Sequence, residues 1–277
     1  MTTQTVGARV TRGRRIGFYL TVGVTVLLIV LGLFQPFIFT VTAWLPAETL
    51  EELYGNITAA IDSHRIHLFG VAILSWLALI PVAVQLWRPV TKVAPAVFAL
   101  AAYALVTVVD LATGLVDPID FVLVALGAII LWLHPGRPGT RPTPMRRRPF
   151  VVALTGAVGW LIFSVAELSQ QLTRPAISDH VEFHHFGYMG AIALLIVLAA
   201  LIGASPMAGR RIVALPSTGA AIYLGFVSAV FPDYESSLGV PLGVLAIIWA
   251  AAYLWTALSD PDSPQTARAP NPTWSRR

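Results

Sequence analysis

Eight stretches of the chain are almost purely apolar in their central parts, and short polar breaks separate them. They run over 16–40, 66–87, 94–113, 119–134, 149–171, 185–204, 212–232 and 239–258. Crossing the ~30 Å hydrocarbon core of a bilayer takes about 20 residues of helix, so each stretch predicts a transmembrane helix; the fourth is the shortest. Links such as Arg88–Lys92 and Gly209–Arg211 leave no room for a soluble domain. Gln35 and Pro36 interrupt the end of the first stretch, which lacks a small-residue cleavage site and is expected to be a retained span. Glu48 to Tyr54 reads as a short amphipathic helix lying on the outer surface.

Composition agrees with this pattern. Of 277 residues, 56% are hydrophobic and 12% charged, against about 25% charged in a soluble protein. The absence of cysteine removes disulfides, thiolate metal sites, iron–sulfur clusters and thiol nucleophiles. A net charge of +4 would suggest a nucleic-acid partner for a soluble protein; here no nucleic acid is expected, because the basic residues mark the cytoplasmic side of a membrane. With the N-terminus inside, sixteen of the eighteen Lys and Arg fall in cytoplasmic segments, and only Arg65 and Arg174 fall outside. That asymmetry predicts a multi-pass protein of the cell membrane with both termini cytoplasmic.

The expected fold class is an all-α polytopic membrane protein of eight transmembrane helices, arranged as a 4+4 tandem repeat. Residues 1–15 form a basic cytoplasmic N-terminus, 16–135 a first four-helix half, 136–148 a basic linker, 149–258 a second half and 259–277 a disordered tail rich in proline. Three correspondences carry the repeat. Arg14-Arg15 and Arg147-Arg148 precede the first and fifth helices, with Gly23 and Gly156 at equal distances inward. His67-Leu68-Phe69-Gly70 matches His184-His185-Phe186-Gly187, and Asp110 stands eight residues before Pro118 as Asp233 stands eight before Pro241. An even number of helices per repeat relates the halves by a pseudo-two-fold axis along the membrane normal. His67 and His184, if both face that axis, would flank a single site.

Candidate chemistry gathers on the outer side, where twelve of fourteen acids and five of six histidines fall. His64 and His67 are three apart, and His180 and His184 four apart, so each pair shares a helix face if the helix begins early enough. Imidazoles at such spacings suit zinc or copper. His64, His67, His180, His184 and His185 are therefore the expected metal ligands, with Asp62, Asp179 and Glu182 close by. A haem variant uses His67 and His184 as axial ligands, with Gly70 and Gly187 leaving room for the macrocycle; close helix packing is the plainer role for those glycines. The outline is similar to haem A synthases and copper-resistance membrane proteins. No extended motif of either is present, and His134, the one inner histidine, lies on the wrong side for a haem A synthase pairing. Asp110 and Glu167, carboxylates inside spans, are candidate catalytic or proton-accepting groups. Asn56-Ile57-Thr58 matches a glycosylation acceptor.

These residues favour an extracytoplasmic His/carboxylate site binding copper, zinc or haem, acting in redox chemistry, metal handling or metal-dependent catalysis. A proton-coupled small-solute transporter and a non-catalytic subunit of a membrane complex are the alternatives. Expected partners are the lipid bilayer and either further copies of the chain or a larger membrane assembly. No phosphate-cradling loop or nucleophile elbow is present, which disfavours an ATP-driven pump.

Overall fold

The computed structural model describes residues 11–54, 61–136, 144–175 and 178–259, without the side chains of residues 47, 51, 53–54 and 61–63. Asn56-Ile57-Thr58, most of the 136–148 linker and the tail beyond 259 lie outside the described residues. Every regular element among the described residues is helical: α1 Arg12–Gly32, α2 Phe34–Thr42, α3 Ala47–Tyr54, α4 Ile61–Ala83, α5 Val93–Ala112, α6 Pro118–Leu133, α7 Arg147–Thr173, α8 Asp179–Glu182, α9 His185–Gly203, α10 Arg210–Val230 and α11 Gly239–Ser259. Seven of them (α1, α4, α5, α7, α9, α10 and α11) are long and apolar enough to cross a membrane, the make-up of a multi-pass membrane protein in contact with lipid. With 16 residues, α6 is the short one; at 1.5 Å per residue it spans about 24 Å.

The first apolar stretch is two helices. Pro36 has no N–H to give to the Gly32 carbonyl, and its ring crowds that carbonyl. The helix accordingly stops at Gly32, Leu33 leaves helical geometry at φ −111°, and α2 restarts at Phe34. Elsewhere the apolar runs and the helices coincide within a few residues, because the same break residues end both. Asp117 caps α6 by accepting a hydrogen bond from the Ile119 N–H (2.9 Å), and Pro118 occupies the first turn, where its missing donor costs nothing.

Neighbour relations repeat between the two groups of helices. In the first, α1 and α5 each touch both α4 and α6; in the second, α7 and α10 each touch both α9 and α11. The groups meet through α4 and α5 against α9 and α10. Burial follows: 78% of the most apolar stretch of α9 is inside the protein, against 22% for α1 and for α11. Lipid is as apolar as a leucine core, so close approach of backbones rather than water exclusion holds such helices together. The α10–α11 contact shows this. A Cβ at Gly225 would sit 2.6 Å from the Gly243 carbonyl oxygen, and one at Gly243 would sit 2.5 Å from that of Gly225.

The two ends of the bundle differ chemically. At one, the Arg14 guanidinium donates to the Trp132 and Leu133 carbonyls (2.6 and 3.2 Å) at the end of α6, and the buried Arg210 donates to Ala257 at the end of α11 (2.9 Å). Cations there meet the negative ends of helix dipoles. His134 belongs to this basic end, bonded to Gln85 at 3.2 Å. The other five histidines lie at the opposite end.

Candidate metal centre

The first turns of α4 and α9, the short α8 and the α10–α11 turn converge at the histidine end. Four imidazoles meet there. The ring centres of His64, His67, His180 and His185 lie 4.0 to 6.1 Å apart, with His64 stacked on His180 and His67 on His185. His64, His67 and His180 are buried, and His185 is half-buried. Each of His64, His180 and His185 offers a ring nitrogen within 4.8 Å of those of the other two. A tetrahedral ion with bonds of ~2.1 Å needs ligand atoms about 3.4 Å apart, so the three rings would have to draw closer, and the stacked His64 and His180 to turn, before they could share one ion.

His67 borders this set and is held from behind. Its Nε2 is 2.8 Å from Ser236 Oγ, and the Ser236 hydroxyl donates to Glu167 Oε2 at 2.5 Å. The His67 Nδ1 is buried and has no hydrogen-bond partner. Next in sequence to Ser236, Glu235 brings a carboxylate oxygen to 3.2 Å from His180 Nε2 while its other oxygen accepts from Arg174 at 2.8 Å. Arg174 also donates to Gln170 (2.7 Å) and lies over the Phe186 ring, 4.7 Å from its centre. Both Arg174 and Glu235 are more than a third exposed, so their pair contributes only about 0–1 kcal/mol to stability; its role is to fix the carboxylate beside His180. Arg65, the other basic residue at this end among the described residues, donates to the Ala43 and Leu45 carbonyls at 2.9 Å each and ties the α2–α3 turn onto α4.

The five histidines do not form one group. The expected i,i+4 face of His180 and His184 is absent because the helix does not run through them: α8 ends at Glu182, and His184 takes the left-handed conformation (φ 54°) just before α9. That reversal turns His184 away and lets His185 supply the ring. The position of a Cβ on Gly187 lies 3.6 Å from both His184 Nδ1 and Thr113 Oγ1, and 3.8 Å from Gln171. The start of α9 thus lies against the α5–α6 turn, and His184 Nδ1 has no hydrogen-bond partner among the described residues. Partial burial pulls its pKa below the ordinary histidine value.

Glu167 reaches the histidine group through Ser236, whereas Asp110 does not reach it. Asp110 is buried, and its carboxyl is in hydrogen-bonding contact with that of Asp120 on α6. Asp179 and Glu182 are exposed. Neither glycine of the haem variant faces open space: a Cβ on Gly70 would collide with Met189 Sδ, which packs α9 onto α4.

Sequence reasoning did not single out Glu235, Ser236 or Arg174 as site residues. Tyr234 to Ser237 is a polar turn between two spans, and nothing in its pattern signals that Ser236 adopts φ 61° and lands beside a histidine 169 positions earlier. Comparison with known proteins gives no match to any family model, curated protein or solved structure.

Proposed function

We propose that this is an integral membrane protein that holds one zinc- or copper-class ion in a histidine centre at the extracytoplasmic end of its helix bundle. The observation that carries the reading is the ring-nitrogen set of His64, His180 and His185, within 4.8 Å of one another. Imidazole is the ligand these metals favour. Carboxylates behind ligating histidines, as Glu235 stands behind His180, are the usual outer partners of such sites. Metal handling and redox transfer are the activities this donor set serves, and metal-dependent catalysis requires that one coordination position stay open. Haem is less well supported, since Gly70 is packed against Met189 and His184 lies apart from His67.

The eight-span, 4+4 topology belongs to this proposal. In it α6 is the fourth span, its ~24 Å accommodated by local thinning of the bilayer. One observation supports the repeat: the matching neighbour relations of the two groups. Both termini then lie with the basic end in the cytoplasm, the orientation that the distribution of lysine and arginine favours.

A second reading, proton-coupled transport of a small solute, is favoured by the buried Asp110 in contact with Asp120, a carboxyl pair that can hold one proton between them. Equilibrium dialysis of purified protein against zinc and copper separates the two. Binding of one ion per chain, lost on His180→Ala, supports the metal centre. Metal-free protein that takes up a solute in proteoliposomes, dependent on Asp110, replaces it with the transporter.

A further inference from the structure

Ser236 is a non-glycine residue held at φ 61°, a left-handed conformation that L-residues rarely adopt. What that conformation achieves is visible in its hydroxyl. Unlike a serine inside a helix, it has no carbonyl of its own preceding turn to bond, and it bridges His67 on α4 to Glu167 on α7. The bridge has a direction. If Glu167 is ionised it offers only acceptors, and the Ser236 proton then points to Glu167 Oε2. The serine oxygen can then only accept from His67, which places the imidazole proton on Nε2. A neutral imidazole carries one N–H, so Nδ1 is left with a bare lone pair. That atom is the one with no hydrogen-bond partner, buried in a ring that stands 4.8 Å from His180 and 4.9 Å from His185, centre to centre.

We propose that Glu167 and Ser236 are positioning residues that lock His67 in the Nε2-protonated tautomer and so present its Nδ1 as a fourth ligand to the ion held by His64, His180 and His185. This rests on the metal-centre reading and deepens it. Four imidazoles fill a tetrahedral shell and leave no position for an activated water, the arrangement of sites that hold or pass on a metal or an electron rather than hydrolyse a substrate. The lock is the carboxylate–histidine–metal relation with a serine interposed.

The test uses the full-length protein in lipid nanodiscs, labelled with 15N-histidine and stripped of metal, and then titrated with zinc. The expected tautomer of His67 in long-range 1H–15N spectra is Nε2–H. Ser236→Gly is the decisive variant: glycine adopts φ 61° without strain, so the turn survives while the hydroxyl is lost. It should unlock the tautomer and weaken zinc binding by about 10- to 100-fold, the usual effect of removing an outer-shell partner. Glu167→Gln should act in the same direction, and His67→Ala should weaken zinc at least as much as either. Wild-type His67 protonated on Nδ1 would overturn the lock, since it would mean a chain running from a protonated Glu167 outwards. Zinc affinity unchanged in Ser236→Gly would overturn it too. Wild-type protein that takes up neither zinc nor copper would overturn the ligand role together with the metal reading, an outcome told apart from failure of the lock because the tautomer is read without metal.

Discussion

Two corners of the histidine end are built alike and equipped differently. In one, the start of α4 meets the α10–α11 turn and His67 meets Ser236; in the other, the start of α9 approaches the α5–α6 turn, where the Cβ position of Gly187 lies 3.6 Å from both His184 Nδ1 and Thr113 Oγ1. The hydroxyls decide the difference. Thr113 caps α5 and spends its proton on the carbonyls of Val109 and Asp110, at 2.9 and 3.2 Å. Ser236 sits in an open turn and is free to link a histidine to a carboxylate. A second contrast lies along the helices: Gly23 on α1 has nothing within 4 Å of where its Cβ would be, whereas Gly156 on α7 is covered by the indole of Trp249. Equivalent positions in sequence therefore do not imply equivalent duties, and only the first corner adjoins the group of His64, His180 and His185.

The sharpest way to break this comparison is to remove one ring from each corner. His180→Ala should reduce zinc or copper affinity by more than about 100-fold, while His184→Ala should leave it within about threefold, as measured by competition with a chromophoric chelator. Equal losses would erase the distinction. Next in size, Glu235→Gln should weaken metal by about tenfold, because it takes the carboxylate from behind His180, and Thr113→Val should have no effect on the same titration. On stability, Gly156→Ala should cost about 1–3 kcal/mol, since the Trp249 indole must move, and Gly23→Ala should change it by less than about 0.5 kcal/mol; chemical denaturation in mixed micelles reads both. The smallest effect concerns pH. The folded protein lowers the His184 pKa, so below the unfolded value of about 6.5 the unfolded chain binds more protons. The contribution of His184 is therefore full above that value and is lost as pH falls from it toward the lower folded value. His184→Asn should flatten the stability profile slightly in that window and leave it unchanged at pH 8.

Much of the fold was legible in the residues. A bilayer demands long apolar runs, and helix ends follow the prolines, glycines and charges that break them, so α5, α9, α10 and α11 lie where the apolar pattern puts them. The division of α1 from α2 was half-legible: Pro36 marks the interruption, but the new helix starts at Phe34 rather than beyond the proline. For the site, the pattern identified the end of the bundle and the five histidines, though not which four meet. That depended on one backbone reversal at His184, which swaps the side chain delivered by a His-His pair, and no local propensity distinguishes the two. Ser236 and Glu235 were hidden for a different reason. Their roles arise from a contact between elements far apart in the chain, and a serine in a polar turn carries no mark of the partner that packing will give it.

Metal content tests the central claim most directly. Protein purified in mild detergent, dialysed against buffered zinc and then against copper, should retain one ion of either kind per chain by elemental analysis, with X-ray absorption showing imidazole nitrogens at ~2.0–2.1 Å. The combined variant His64→Ala/His180→Ala/His185→Ala should be metal-free while still folded. Protein that binds no stoichiometric ion, or that binds it equally well without these three rings, would contradict the account.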